Sequence, residues 1–470
     1  MTAPLPRAAA PRRPGTGGLR RPLPVWALSL GCPKNRVDTE RLLGSLGVPV
    51  RTVPHMGRSR LVFINTCGFI EPAVRESIRA VLDAAGHISG LRRRPLLAVA
   101  GCMVGRYGVA ELQKELPEVD LWLPTNALAR WPALVREALG MAPAPGVPGG
   151  PGGPGGEAEA PESPRLLSTG PSYAWLKIGE GCRHRCAFCT IPSIRGPLRS
   201  TPMARLLAEA RALIAQGVRE LDLVAQDVSS WGGDLVRGGA APRLEDLLTA
   251  LAGLPGLAWL RLLYLYPSGV TETLLRRMAD LGAPVLPYLD IPLQHAAPGL
   301  LRAMGRPFAG DPRRVLERVR AILPGAALRT TFIVGYPGET EADFAALCRF
   351  VEEARFTHVG VFAYQAEEGT PAAALPRQVP VAVREERRSA LMELQAGISA
   401  DILAQSVGSR LPVLVDAPSE EWPGLHRGRV WFQAPEADGV TWVSGPGVRP
   451  GALVECDIVE SSDYDLSALA

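Results

Sequence analysis

The sequence predicts an α/β protein built from three folded parts, and three observations carry that reading. From Tyr173 onward a strand-like segment followed by a helical one recurs six times; AWLKIGEG, ELDLVAQD, WLRLLYLY, VLPYLDIP, LRTTFIVG and HVGVFAY are the strands. Between them Pro202 to Gln216, Arg243 to Gly253, Thr271 to Gly282, Asp311 to Ile322 and Glu341 to Ala354 carry Leu and Ala at three- and four-residue spacing, the period of a helix face. Such alternation requires parallel strands joined by crossover helices. Upstream, the apolar runs Val25 to Leu30, Arg60 to Asn65 and Leu96 to Gly101 alternate with helical stretches such as Pro72 to Ala85, which predicts a small parallel α/β domain. Downstream, a polar helix at about Val383 to Ala404 leads into LPVLVDA, GRVWFQAP, VTWVSG and ALVECDIVE, short strands with Gly and Pro turns that predict a small antiparallel β-barrel.

Segment composition divides these parts. Residues 1–24 are rich in Pro, Ala, Gly and Arg, with too little apolar surface to offset ordering entropy, and read as a disordered extension. Residues 141–164 contain APAPGVPGGPGGPGGEAEAPESP, a Pro/Gly-rich linker. The chain has 470 residues, 47% hydrophobic and 21% charged, ample for several cores. No apolar run is long enough to cross a bilayer, and the Arg-rich start lacks the apolar region of a secretory signal. A cytoplasmic protein is expected.

The net charge of +4 is unevenly spread: from Asp401 onward eleven Asp and Glu face four Arg, a local charge of −7, leaving +11 for the remainder. A nucleic-acid-binding domain would ordinarily be basic, so the acidic end suits a basic protein partner, or else is simply a solvated surface.

Eight cysteines are present, and their clustering favours metal ligation in a reducing compartment over disulfides. Cys182, Cys186 and Cys189 stand in GEGCRHRCAFC, after the first strand of the six-fold repeat, where α/β barrels carry reactive residues. Three thiolates on a four-iron cluster leave one iron open, whereas electron-transfer ferredoxins close every iron with a further cysteine. A structural zinc site usually offers two Cys or Cys/His pairs, and His184 lies at an awkward offset for one. Cys32 in SLGCPKN, Cys67 in NTCGFI and Cys102 in AGCMV lie 35 residues apart, each just after a predicted strand. Parallel strands in one sheet bring their C-terminal loops to one edge, so these three predict a second cluster with an open iron; three unrelated buried thiols are the alternative. Cys348 and Cys456 have no partners in sequence and read as core residues.

The CxxxCxxC string, with Phe188 before its last cysteine, resembles radical S-adenosylmethionine (SAM) enzymes, and the six-fold repeat resembles their partial (β/α)6 barrel. Together with IPSIRGPLRS, YLDIPLQHAAPGLLRAMGRP, TTFIVGYPGET, VGVFAYQAEEGTPAA and DYDL, the two triads resemble the methylthiotransferase family from Val25 to the end. SLGCPKN is similar to the branch that modifies a ribosomal protein; the tRNA-modifying branch has a string like YGCQMN. The resemblance implies an N-terminal cluster domain at 25–140, a radical SAM domain at 165–395 and a TRAM domain at 396–470. It also implies two 4Fe-4S clusters, held by Cys32, Cys67 and Cys102 and by Cys182, Cys186 and Cys189, with SAM as cofactor.

The implied reaction inserts a methylthio group at the β-carbon of an aspartate in small-subunit ribosomal protein S-twelve, with a low-potential reductant such as flavodoxin or ferredoxin. Reductive cleavage of SAM would yield the radical that abstracts hydrogen, while the second cluster presents the sulfur. Phe188, Gln226, Asp227, Gln294 and Gly335 are the expected SAM-side residues, with His295 and the turn to Glu339 nearby, although each polar one alone equally suits a helix cap. Arg195 and Arg199 are candidates for a carboxylate of SAM or substrate, and equally fit ordinary surface arginines. Asp463, Tyr464 and Asp465 are expected on the docking face for the basic substrate. A tRNA adenosine methylthiotransferase is the nearest alternative, and an iron-sulfur electron carrier is the alternative from another class.

Overall fold

The computed structural model describes residues 22–142, 165–235, 241–308 and 310–470. The proposed N-terminal extension up to residue 21, and residues 143–164 of the proposed linker, lie outside them. Two compact units emerge, divided between Ser168 and Thr169, except that Thr190–Gly196 belongs to the first. Arg165 to Ser168, expected in the second domain, therefore pack in the first: Glu40 receives the Arg165 guanidinium and the Ser168 N–H.

In the first unit β1 (Leu23–Ser29), β2 (Val50–Thr52), β3 (Leu61–Thr66), β4 (Leu96–Gly101) and β5 (Leu121–Pro124) form one parallel sheet in the order β2-β1-β3-β4-β5. Leu23 and Pro24, expected in the extension, already belong to the first strand. Every residue of β3 is buried, as a strand covered on both faces requires. Its alternate residues serve two cores: Val62 and Ile64 pack with Val74, Val81 and Ile88 of the helix Glu71–Ser89, while Leu61 and Phe63 pack with Leu42, Leu43 and Trp131. The register aligns Ser29 with Asn65, Asn65 with Ala100 and Thr66 with Gly101, so β1, β3 and β4 end at one level.

The second unit holds β6 (Tyr173–Lys177), a two-residue ladder of β7 (Gly179–Glu180) and β8 (Arg199–Ser200), then β9 (Glu220–Val224), β10 (Trp259–Leu262), β11 (Val285–Asp290), β12 (Ala327–Val334) and β13 (His358–Ala363). The six long strands pair in chain order, all parallel, as the six-fold repeat predicts. The helix Val381–Ala404 then leads to a closed barrel of β14 (Arg410–Pro418), β15 (His426–Arg429), β16 (Thr441–Ser444), β17 (Leu453–Ser461) and β18 (Leu466–Leu469). This barrel is not wholly antiparallel as expected, because β16 and β18 pair in parallel. Directions cannot alternate around a closed ring of five strands, so one pair must run the same way. GRVWFQAP stays a strand only to Arg429, and the final strand, LSAL, was absent from the expected set.

The barrel seats against the first residues of the parallel strands. Arg429 bonds Glu220 at the start of β9 at 2.6 Å, Tyr173 at the start of β6 bonds Glu436, and His358 at the start of β13 bonds the Phe432 carbonyl. It thus covers the end of the sheet opposite the CxxxCxxC loop. Among the described residues no helix is long and apolar enough to cross a membrane.

Candidate functional site

In the first unit Cys67 and Cys102 follow immediately after β3 and β4, and Cys32 lies three residues beyond β1. Because neighbouring strands lie about 4.8 Å apart, the level strand ends bring the three cysteines to one edge. Their proximity shows in their electrostatics: burial pushes the Cys67 thiol up to about 11, and the thiols of Cys102 and Cys32 add to that rise. Gly31 has φ +84° and faces Cys67 so closely that a Cβ would sit 2.9 Å from its sulfur. Gly101, at φ +104°, leaves no room for a Cβ against the Thr66 carbonyl. Both glycines therefore let the loops close on one another.

Polar side chains that sequence reasoning passed over hold these loops. Asn35, in the PKN string, donates to the carbonyls of Leu30 and Thr66 at 2.9 and 3.0 Å, and its own carbonyl accepts from Asn65. Ser77 Oγ accepts the Cys67 N–H and donates to the Cys67 carbonyl. Arg195, expected at a SAM or substrate carboxylate, is instead buried in this unit, bonded to Asp38, Asn35 and Cys102 Sγ. Its carboxylate partner is Asp38, since a buried guanidinium requires a paired anion. Arg199 is exposed in the short β8 strand.

In the second unit the loop after β6 carries Cys182, Cys186 and Cys189, all partly exposed. The His184 N–H donates to Cys182 Sγ at 3.4 Å, and its ring stacks on Tyr266 with centroids 3.5 Å apart. His184 Nε2 also bonds Asp227 at 2.7 Å. The histidine that is awkward as a metal ligand thus serves as a brace between loop and sheet. Arg306 lies over the Tyr266 ring, donates to the Pro292 carbonyl and approaches Cys186 Sγ at 3.5 Å.

The expected SAM-side residues converge at this end of the sheet to different degrees. Gln226 donates to Glu180 at 3.0 Å, and its buried Oε1 has no hydrogen-bond partner among the described residues. That orphan acceptor fits an ammonium donor. Asp227 is occupied: it receives the Ser229 N–H and the hydroxyls of Ser229 and Ser230, capping the short helix Val228–Ser230. Burial alone would raise its pKa, but the bonds from His184, Ser229 and Ser230 hold it below the usual carboxylate range. Phe188 packs partly buried against the cluster of Met304, Tyr336 and Tyr364. Gln294, at φ +75°, has its backbone pinned to Thr331 and Ile333, and His295 behind it is fully buried and driven down to about 4 by that burial.

The space beside Gly335 is filled by the stem of Arg384, so packing against the helix Val381–Ala404 already accounts for that glycine. Its turn is closed by Glu339, which accepts the N–H groups of Gly335 and Tyr336 and pairs with Arg387 at 3.0 Å. Burial raises Glu339 to about 7 despite these partners. A folded value above the unfolded 4.5 means a contribution to stability that is complete below pH 4.5 and lost as pH rises to about 7. Glu339→Gln is therefore expected to gain about 3 kcal/mol relative to the unaltered chain over that interval. Urea denaturation at several pH values checks this, and parallel stability curves would refute it.

Of the remaining cysteines, Cys456 is buried as expected, while Cys348 is only half-buried on its helix. Among the described residues no three His, Cys, Asp or Glu side chains are gathered for a single metal ion. A four-iron cluster spreads its thiolates over separate irons, wider than ligands lying about 2.3 Å from one zinc. The donor sets, three cysteines at each sheet end with basic side chains beside the sulfur, fit such clusters.

Residues 176–351 match the model of the radical SAM superfamily, residues 25–124 that of uncharacterized protein family UPF0004, and residues 407–470 that of the TRAM domain. The solved structure of the radical S-adenosylmethionine methyltransferase TsrM from Kitasatospora setae, with cobalamin and a 4Fe-4S cluster bound, shares the fold at TM-score 0.53 and 14% identity. The likeness covers 87% of this chain and 77% of that one. The fold and its cysteine loop define a radical SAM protein. Its relatives include the ribosomal protein uS12 methylthiotransferase RimO of Nitratidesulfovibrio vulgaris strain Hildenborough, 63% identical over 95% of this chain and 99% of that one. The RimO proteins of Oleidesulfovibrio alaskensis (57% identical, covering 95% and 99%) and Lawsonia intracellularis (49%, covering 94% and 97%) are similar along the same length. The chain belongs to the ribosomal protein uS12 methylthiotransferase family.

Proposed function

We propose that this protein inserts a methylthio group at the β-carbon of an aspartate in small-subunit ribosomal protein uS12, with two 4Fe-4S clusters and SAM as cofactors. The observation that carries it is the pair of separate cysteine triads, one on three level strand ends and one in the loop after β6. When bound, the clusters and SAM would supply hydrogen abstraction and the transferable sulfur. Cys182, Cys186 and Cys189 would hold one cluster, and the unpartnered Gln226 Oε1 would accept from the SAM ammonium. Asp227, through His184, would fix the loop that bears Cys182. Cys32, Cys67 and Cys102 would hold the other. The electron would come from a low-potential carrier such as flavodoxin or ferredoxin. Anaerobic incubation of the reconstituted protein with uS12 and, separately, with tRNA tests the reading by mass spectrometry. A methylthio gain on uS12 is expected, and a gain on tRNA alone would overturn it.

The C-terminal barrel is the proposed docking surface for this basic substrate, but not through all of the residues expected. Asp465 accepts the Val440 N–H at 2.8 Å, and the Tyr464 backbone packs against Gly439, so DYDL closes the barrel. Only Asp463 of that string is well exposed. The outward side of β17 carries Glu455 and Asp457, with Glu460 beyond its bulge and exposed Leu453 and Leu469 beside them. Since the barrel covers the sheet end opposite the CxxxCxxC loop, this face would tether a protein body at a distance from the chemistry. Reversing Glu455, Asp457 and Glu460 to Lys should slow association with uS12 about tenfold at low salt while leaving iron content unchanged. Surface-plasmon kinetics at two ionic strengths would show it, and an unaltered association rate would rule this face out.

A further inference from the structure

We infer that Arg195 is a positioning residue that holds Cys102 and raises the reduction potential of the cluster on Cys32, Cys67 and Cys102; the inference rests on the two-cluster reading proposed above. Arg195 belongs to Thr190–Gly196, the stretch that follows Cys189 in the chain yet packs within the first unit. Two hydrogen bonds seat that stretch: Thr190 donates to the Phe69 carbonyl at 3.1 Å, and Thr125 donates to the Ile194 carbonyl at 3.0 Å. From there the guanidinium reaches Cys102 Sγ with Nε at 3.2 Å and Nη2 at 3.1 Å. A planar fork presenting two donors to one sulfur is an arrangement that lysine cannot reproduce.

The fork's orientation is set by the other cysteine loops. Nη1 meets Asp38 at 3.1 Å, and Nη2 meets Asn35 Oδ1 at 2.5 Å. Asn35 in turn bonds the carbonyls of Leu30 and Thr66, just ahead of Cys32 and Cys67. One buried cation is thus mechanically tied to the loops of all three cysteines. Hydrogen bonds to cluster sulfurs and the charge around them set cluster potentials. Donors aimed at a ligand sulfur favour the reduced cluster because it carries more negative charge, so removing them must lower the potential.

The test uses the full-length chain with Cys182, Cys186 and Cys189 replaced by Ala, reconstituted so that only the N-terminal cluster remains, and reads its midpoint by redox titration followed by electron paramagnetic resonance. Arg195→Gln, which removes the charge and the two-nitrogen fork together, should shift the reduction equilibrium about tenfold, or about 59 mV for a one-electron couple, toward the oxidised form. Because that change also removes a cation bonded to buried Asp38, the double variant Asp38→Asn/Arg195→Gln provides a charge-balanced comparison and should retain a shift in the same direction, about threefold. A merely structural role would lower thermal stability and leave the midpoint where it was, so an unchanged midpoint in the double variant overturns the inference. A double variant that is folded by circular dichroism but holds no iron also overturns it, because Arg195 would then serve assembly. Absence of iron with Arg195 in place would instead defeat the underlying cluster reading, and this is visible before any potential is measured.

Discussion

Replacing Cys182, Cys186 and Cys189 by Ala is expected to remove roughly half of the iron and all formation of 5'-deoxyadenosine, because under the proposed ligation one cluster would lose every protein ligand while the other would keep three. The same replacement at Cys32, Cys67 and Cys102 is expected to remove the other half, leave SAM cleavage intact and end methylthio transfer. The asymmetry follows from placement: the first triad lies in the loop after β6, near the orphan acceptor of Gln226, and the second lies on a separate sheet. Iron analysis and chromatography of SAM products check both variants. Loss of all iron from either triple variant, or SAM cleavage surviving the first, would sink the assignment of one cluster to each triad.

Arg429→Met is expected to have the largest effect on stability. The Arg429 side chain is 2% exposed, meets Glu220 at 2.6 Å and clamps Asp416 with two bonds at 2.8 and 3.0 Å. Glu220 also faces Arg261, which lies beside Asp222 at 3.3 Å. Burial pushes Asp222 well above the usual carboxylate range, aided by the neighbouring Glu220 charge. Burial would raise Glu220 as well, but Arg429 and Arg261 together hold it below its ordinary value. Removing Arg429 strands Asp416 without its clamp and leaves Arg261 between two carboxylates, a loss of about 3–5 kcal/mol for breaking a buried pair from one side.

The pH dependence of that loss has a definite sign. In the unaltered chain the lowered Glu220 contributes stability above its unfolded pKa that is lost as pH falls. Without Arg429 that contribution is weakened, so the deficit should be widest near neutral pH and shrink on acidification, as Glu220 takes up its proton. Urea denaturation of both chains at neutral and acidic pH measures it. A deficit under about 1 kcal/mol, the range of an exposed pair, would show that the C-terminal barrel is held by other contacts.

How far the molecule is legible from its residues varies by element. The six-fold repeat was readable because each strand is an apolar run between helices of clear period, and local pattern alone distinguishes the two. The short β2 and β5 strands, at opposite edges of their sheet, were not, since three or four residues carry too little pattern. Both triads were legible because thiol spacing and flanking Gly, Pro and Asn are local signals. Arg195 was misplaced because its partner Cys102 lies 93 residues away, and a lone arginine looks the same whether it binds a ligand or a sulfur. Asp227, which sequence offers equally as a cofactor contact or a helix cap, caps the helix Val228–Ser230, and the space beside Gly335 is taken by the stem of Arg384.

Periodicity and spacing along the chain, then, suffice for the six parallel strands of the second unit, the parallel α/β character of the first, the presence of two three-cysteine sets and the acidity of the C-terminal end. Folding in three dimensions was needed for the rest. It set the common level of the strand ends that gathers Cys32, Cys67 and Cys102, the turning of Arg195 onto one of them, and the closure of a five-stranded ring through one parallel pair. It also spanned 209 residues to bring Arg429 onto Glu220. The division has a physical cause. Hydrophobic period and loop chemistry act between near neighbours, but a buried charge or a ligand sulfur finds its partner only where the finished fold excludes water.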